Sequence, residues 1–395
     1  MALAEVDAFE FADCLLVIPR REPRLFLLNP IARLMWQALA EGAAPAAAIE
    51  RIAARFAVPP ARVQADMAAI VAEWQAHGLL SDVVPADEVP PAAADPLPHR
   101  QGFHAERTYR LCGRAIRIRI GEPAIDRAIH PPLAHALAAS ERPRDTIDVV
   151  RADPGYLVVC NGSDRERAAT LEEALGQLFG RILELSYPEA EWLAMLHAAA
   201  VGDARGAVVM VGASGSGKST LTAALVHAGL GYLSDDIVPL DAALRIRPMP
   251  LGISVKEGSW PVLATRYPEL ATLPVHAGRR RRYLPVPARC LAPGAGLPVK
   301  SLVFPTYRPD HPAVVRCLTP LEILGRLTQA RSWLSLDGRR FASTLRWIED
   351  APGYELGYAS LDEAVRVIDG LLGNAWPQSD HGEMWDGRSQ GQRKV

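Results

Sequence analysis

Apolar and polar positions along this chain change period several times, and each change marks a unit of structure. Within residues 1–82, Cys14-Leu15-Leu16-Val17-Ile18 and Leu25-Phe26-Leu27-Leu28 are short apolar runs that predict two strands. Helical spacing then takes over. Ile31, Leu34, Met35, Ala38 and Leu39 recur up to Gly42, behind Asn29-Pro30, a cap with proline at the first helical position. Ile49, Ile52, Ala53 and Phe56 mark a second helix near 46–56, and Val63, Met67, Ile70, Val71 and Trp74 a third over 60–77, ended by Gly78. Two strands and three amphipathic helices closing on Gly78-Leu79-Leu80 predict a small winged-helix-like domain.

Residues 83–102 lose this periodicity. Pro85, Pro90, Pro91, Pro96 and Pro98 stand among Ala, Asp and Glu, which predicts an extended linker. A mixed α+β region follows over 103–196. Tyr109-Arg110-Leu111 and Ile116-Arg117-Ile118-Arg119-Ile120 flank Cys112-Gly113, a hairpin signal. The alternation puts isoleucines on one face and arginines on the other, either solvated or facing an acidic partner. Strands are expected at 147–150 and 156–159 around Asp153-Pro154-Gly155, and amphipathic helices over 170–185 and 189–196. From 197 to 373 short apolar runs alternate with helical segments, an α/β pattern. The tail, 374–395, is polar and reads as disordered.

Composition narrows the class. With 395 residues, 49% hydrophobic, 22% charged and a net charge of −2, the chain reads as a soluble globular protein of more than one domain. Residues 1–95 hold seven Arg/Lys against thirteen Asp/Glu, the wrong sign for a winged helix that reads DNA phosphates. No nucleic-acid partner is therefore expected. Cys14, Cys112, Cys160, Cys290 and Cys317 are scattered, without metal-ligand spacing, and read as buried thiols in a reducing compartment. No apolar run approaches the ~20 residues of a membrane span, so a cytoplasmic protein is expected.

The candidate chemistry centres on Gly212-Ala213-Ser214-Gly215-Ser216-Gly217-Lys218-Ser219, followed by Thr220. It fits G-x-x-x-x-G-K-[ST], in which glycines let backbone N–H groups close on phosphate oxygens. Lys218 is expected at the β- and γ-phosphates and the Ser219 hydroxyl on Mg²⁺. The apolar run 207–211 before the motif predicts a buried parallel strand, and 221–228 after it a helix stopped by Gly229. Only four of 43 basic residues are lysines (218, 256, 300 and 394), and one occupies the motif position.

Two further features sharpen this. Tyr232-Leu233 predicts a strand that ends in Ser234-Asp235-Asp236, where an open α/β sheet binds its ligands. His197 opens an apolar stretch to Val201, expected to lie beside the motif strand. His197 precedes Lys218 by 21 positions, and the aspartates follow it by 17 and 18. Together these residues resemble the HPr kinase/phosphorylase family and its HPr-kinase-related members, over roughly 105–372. That resemblance implies a P-loop kinase domain of HPr-kinase-like type, using ATP (GTP is left open) and Mg²⁺. It makes Asp235 the base for a serine or threonine hydroxyl, with His197 orienting or charge-balancing it, and pairs Asp236 with Ser219 on the metal; the order of the two aspartates is left open. Lys256 falls in a segment similar to one in these relatives, as a substrate or phosphate contact or as a surface lysine. Gly278 to Tyr283, with arginines at 279–282, predicts a flexible basic loop from which Arg281 or Arg282 stabilises transition-state charge; a solvated run is the other reading. The glycine-rich segment tied to phosphorylase activity in that family is not found, so a kinase is expected without the reverse reaction.

The front of the chain resembles a second family. Leu28-Asn29 before a helix bearing Trp36, then Glu41-Gly42, the Ile49/Ile52/Phe56 helix and Gly78-Leu79-Leu80, look like the PqqD family of peptide-modification chaperones. The resemblance implies that a precursor peptide adds its leader as a strand to the edge of the small sheet in residues 1–82. The combined expectation is a kinase for a hydroxyl of a ribosomally made precursor peptide. A small-molecule kinase and a nucleotide-gated peptide chaperone are the alternatives, and a homo-oligomer is left open.

Overall fold

The computed structural model describes residues 2–21, 23–42, 44–81, 102–276, 280–286, 294–373 and 384–386. The chain divides into two compact units: Met1–Asp95 with Ser335–Leu345, and Pro96–Leu334 with Arg346–Val395.

In the first unit β1 (Ala2–Leu3) precedes a three-stranded antiparallel sheet of β2 (Val6–Phe11), β3 (Cys14–Pro19) and β4 (Phe26–Leu28). Helices α1 (Pro30–Ala40), α2 (Pro45–Phe56) and α3 (Pro60–Ala76) follow, and β5 (Leu80–Ser81) pairs with β1. Asn29 caps α1: its side-chain oxygen accepts from the N–H groups of Ile31 and Ala32 at 3.1 and 2.9 Å. Leu15, Val17, Met35, Ile52, Met67 and Trp74 share one core, in which Trp36 meets Trp74 edge-on at 5.3 Å. Strand β2 was not expected. Its turn into β3, at Ala12 with φ 51°, lacks the Asn-Gly or Asp-Gly pair that marks a hairpin. Every residue of β3 is buried, so the sheet is covered on both faces. On the face of Leu16, Phe9 packs edge-on against Phe341 at 5.3 Å, within the same unit.

The second unit opens with a five-stranded sheet. Its strands are β6 (Ala105–Leu111), β7 (Arg114–Ile120), β8 (Asp145–Arg151), β9 (Tyr156–Cys160) and β10 (Asp164–Ala168), in spatial order β10-β9-β8-β7-β6. Helices α4 (Pro123–Leu133) and α5 (Leu171–Ser186) contribute to its core with Ile116, Ile118 and Ile120. Both arginines opposite those isoleucines are paired within the sheet: Arg117 with Glu106, and Arg119 with Asp148 at 2.6 Å.

An 11-stranded sheet forms the rest. It holds β11 (Trp192–Leu196), β12 (Ala198–Asp203) and β13 (Gly206–Val211), then after α6 (Lys218–His227) β14 (Gly231–Asp235), β15 (Val238–Asp241) and β16 (Arg245–Ile246). Strand β17 (Ile253–Lys256), α7 (Trp260–Leu263) and β18 (Arg281–Leu284) follow, β17 and β18 making a separate hairpin. The large sheet is completed by β19 (Leu297–Tyr307), β20 (Val314–Leu318), β21 (Trp333–Leu334), β22 (Gly353–Tyr358) and β23 (Met384–Asp386), with α8 (Pro320–Gln329), α9 (Gly338–Asp350) and α10 (Leu361–Leu372) between them. Strand β13 is parallel to β19 and antiparallel to β12, so the sheet is mixed. Helices α6 and α10 share its core with Val208, Met210, Val303 and Leu356.

Three expectations are corrected. Residues 192–196 form β11, not a helix, because the segment pairs with β15 and β21; sheet pairing overrides a helical propensity in so short a run. Residues 281–284 form β18 rather than a flexible loop. In the tail, Met384–Asp386 pairs with β20. The linker expected at 83–102 lies outside the described residues apart from Gly102, as do Cys290 and the remainder of the tail beyond 373.

Candidate active site

Strand β13 ends at Val211, the loop runs through 212–217, and α6 begins at Lys218, so the strand, glycine loop and helix that the motif requires are all present. Space and backbone both dictate glycine here. Gly215 and Gly217 have φ of +95° and +97°, which side chains other than glycine rarely adopt. A Cβ on Gly212 would stand 2.8 Å from Ser216 Oγ, and one on Gly217 2.6 Å from the Tyr358 hydroxyl. Lys218 is buried at 5% exposure, its ammonium folded back on the carbonyls of Gly212 and Ala213 at 2.5 and 3.3 Å. Burial lowers its pKa, against the opposing pull of Asp235 and Asp236.

The aspartate pair lies where β14 ends, and its members face differently. Asp235 is 1% exposed. Its Oδ1 accepts from Ser219 Oγ at 3.1 Å and its Oδ2 from the Ser254 N–H at 3.0 Å. Burial first, and the Asp236 charge second, push its carboxyl up to about 7. Asp236 turns out of the strand with φ 75°, the left-handed region that Asp tolerates better than most residues. It lines a cavity of ≈ 680 Å³ together with His197, Lys218, Ser219 and Thr220.

His197 sits at the bend between β11 and β12, where its backbone N–H donates to Ser332 Oγ at 3.2 Å. Burial, then the Lys218 charge, lowers the imidazole pKa, while Asp236 raises it. Three more groups meet the cavity from the β17–β18 side. Lys256 Nζ donates to Ser214 Oγ at 2.8 Å, Arg281 Nη1 donates to Ser254 Oγ at 2.9 Å, and Ser259 Oγ accepts from Thr220 Oγ1 at 2.6 Å. Arg282 does not join them. It stacks over Trp260 at 4.0 Å and donates to the Leu270 carbonyl at 2.6 Å, so its guanidinium holds the hairpin to neighbouring elements. Arg280 pairs with Glu257, and Arg279 lies outside the described residues.

The donor set suits a hard cation and an anion together. Hydroxyl and carboxylate oxygens of Ser219 and Asp235 are the ligand types Mg²⁺ takes. Ser216 Oγ is buried in the loop with no hydrogen-bond partner, and Ser216 lines a different cavity, with Phe304, Pro305 and Arg326. Sequence reasoning took Ser254 and Ser259 only as part of the segment around Lys256, without a role, and missed the α5 wall of the cavity (Glu172, Leu175, Gly176 and Phe179), which belongs to no motif.

No curated protein matches this chain. Residues 14–80 match the family model of coenzyme PQQ synthesis protein D (PqqD), and that segment of the first unit is therefore a PqqD-like domain.

Proposed function

We propose that this chain is an ATP- and Mg²⁺-dependent kinase of HPr-kinase-like type. Its acceptor would be a serine or threonine hydroxyl of a ribosomally made precursor peptide, the leader being held by residues 1–82. The carrying observation is that His197 and Asp236, from other elements, line one cavity with Lys218 and Ser219 of the glycine loop and its helix. Phosphoryl transfer asks the protein mainly for positioning and charge stabilisation, which these groups supply.

The geometry favours exchanging the roles first given to the two aspartates. Asp235, buried against Ser219, suits the metal side. Asp236, free to face the cavity, suits the base. The acceptor O–H bond breaks as its proton passes to the Asp236 carboxylate, and the oxygen bonds to the γ-phosphorus. The bond from that phosphorus to the bridging oxygen breaks, and ADP leaves with the electron pair. His197, held neutral, orients Asp236. Bound Mg²⁺ would neutralise charge on the β- and γ-phosphate oxygens. Lys218, released from the Gly212 and Ala213 carbonyls, meets the same oxygens, and Arg281 and Lys256 add positive charge from the hairpin.

Strand β4 supports the peptide part of this reading. It pairs with β3 alone among the described residues, and Leu27 on it is 52% exposed. An extended leader added there would satisfy the free edge by main-chain hydrogen bonds. The test is incubation of the full chain with MgATP and the short peptide encoded beside its gene. A gain of one phosphoryl group on Ser or Thr is expected; intact peptide alongside measurable nucleotide binding would overturn the kinase.

A further inference from the structure

Strands β13, β14, β19 and β22 of the large sheet run in one direction. Strand β12 is antiparallel to both β13 and β14, and β19 is parallel to β13 on one side and to β22 on the other. Their carboxyl ends therefore share one edge, the edge at which α/β sheets bind ligands. The glycine loop leaves from β13, in the middle of that edge. Asp235 and Asp236 occupy the β14 flank, and the phosphate chemistry uses nothing on the opposite flank, formed by β19 and β22.

That opposite flank ends in two tyrosines. Tyr307 and Tyr358 are register partners, with their rings edge-on at 6.0 Å. Tyr358 is 2% exposed, and its hydroxyl reaches the loop beside Gly217. Tyr307 is 57% exposed, more than any other large apolar side chain among the described residues. Singly exposed apolar side chains are ordinary, but this one has a particular place. One buried ring separates it from the phosphate loop. Phe304, on the other face of β19, offers no such surface, because its ring is buried with Arg326 stacked over it at 5.3 Å.

The direction of transfer says what that ring can serve. The attacking oxygen and the bridging oxygen that leaves lie roughly in line, on opposite sides of the γ-phosphorus. With Asp236 as general base, the acceptor enters from the β14 flank. The remaining phosphates and the nucleoside then run along the loop toward β19 and β22, where a peptide would stand behind the leaving group. We infer that Tyr307 is the stacking platform for the nucleobase, and that the Tyr358 ring sets its distance from the phosphates. The inference rests on the kinase reading and names the residue that takes the nucleoside end of its co-substrate.

The test is calorimetric titration of the full chain with MgATP and with magnesium tripolyphosphate, which carries the phosphates without a nucleoside. Wild-type protein should bind MgATP about tenfold more tightly or better, since stacking adds to phosphate binding. Tyr307→Ala should weaken MgATP by about tenfold and leave tripolyphosphate unchanged, which also reports an intact loop. Tyr307→Trp should keep MgATP at least as tight as wild type, because it keeps an aromatic face. Equal binding of the two ligands by wild type overturns the platform. So does MgATP affinity that Tyr307→Ala leaves unchanged, or an equal loss for both ligands in that variant. Wild-type protein that binds neither ligand overturns the kinase reading, and this inference with it.

Discussion

At the scale of single residues, the aspartate pair separates by burial, and that decides how each substitution should read out. Asp236→Asn removes the proposed base without touching the Ser219 contact, so kcat should fall by about 10²–10⁴ while MgATP affinity stays near wild type. Asp235→Asn should instead weaken Mg²⁺-dependent nucleotide binding. The opposite pattern, measured by steady-state kinetics and titration calorimetry, would restore the first assignment of roles. Asp235 also gives a pH signature. Its carboxyl titrates near 7 in the folded protein and near 4 unfolded, so between those values the folded state holds a proton that the unfolded chain has released. The stability this contributes is complete below pH 4 and is lost as pH rises through 7. Denaturant melts of the nucleotide-free protein should show Asp235→Asn gaining on wild type between pH 5 and pH 8; parallel curves would contradict the shift. The doublet was legible in the sequence as a carboxylate pair at a strand end. Which aspartate is buried was not, because that depends on Ser254 and on the left-handed turn at Asp236, neither of which a spacing encodes.

At the scale of elements, the strand, glycine loop and helix were legible in the sequence because their constraint is local. Gly217 needs a positive φ, and the sequence shows that need as a motif. Its second constraint, the Tyr358 hydroxyl from β22, comes from 141 positions further on and is invisible until the sheet is assembled. Gly217→Ala should therefore cost about 1–2 kcal/mol from the backbone alone and more from the clash. Adding Tyr358→Phe should return the steric part and leave the backbone part. Equal losses in the single and double variants would show that the hydroxyl is not the obstacle. The same contrast explains β11. Residues 192–196 carry apolar side chains that suit either a helix or a strand, and the choice is made by β15 and β21, which lie on either side of it. Likewise Arg281 and Arg282 are indistinguishable in a basic run. Alternation in β18 sends one to Ser254 and the other to Trp260.

At the scale of the whole molecule, a PqqD-like domain and the proposed transfer site in one chain predict a division of labour between leader and acceptor. Tethering raises the local concentration of the acceptor and changes nothing in the chemical step. Cutting the leader from the peptide should thus raise KM by about 10²-fold or more with kcat little altered, and free leader should compete with intact peptide. A fall in kcat on leader removal, recovered by adding free leader, would instead mean that the leader activates the enzyme. Truncating the peptide is the cleaner experiment than deleting residues 1–95. Ser335–Leu345 belongs to the first unit, where Phe341 is fully buried and packs on Phe9. Deletion would uncover that ring and confuse loss of docking with loss of stability, since truncating a buried phenylalanine contact alone costs about 3–5 kcal/mol. Leader removal leaves every residue of the protein in place, so a change confined to KM can be assigned to docking.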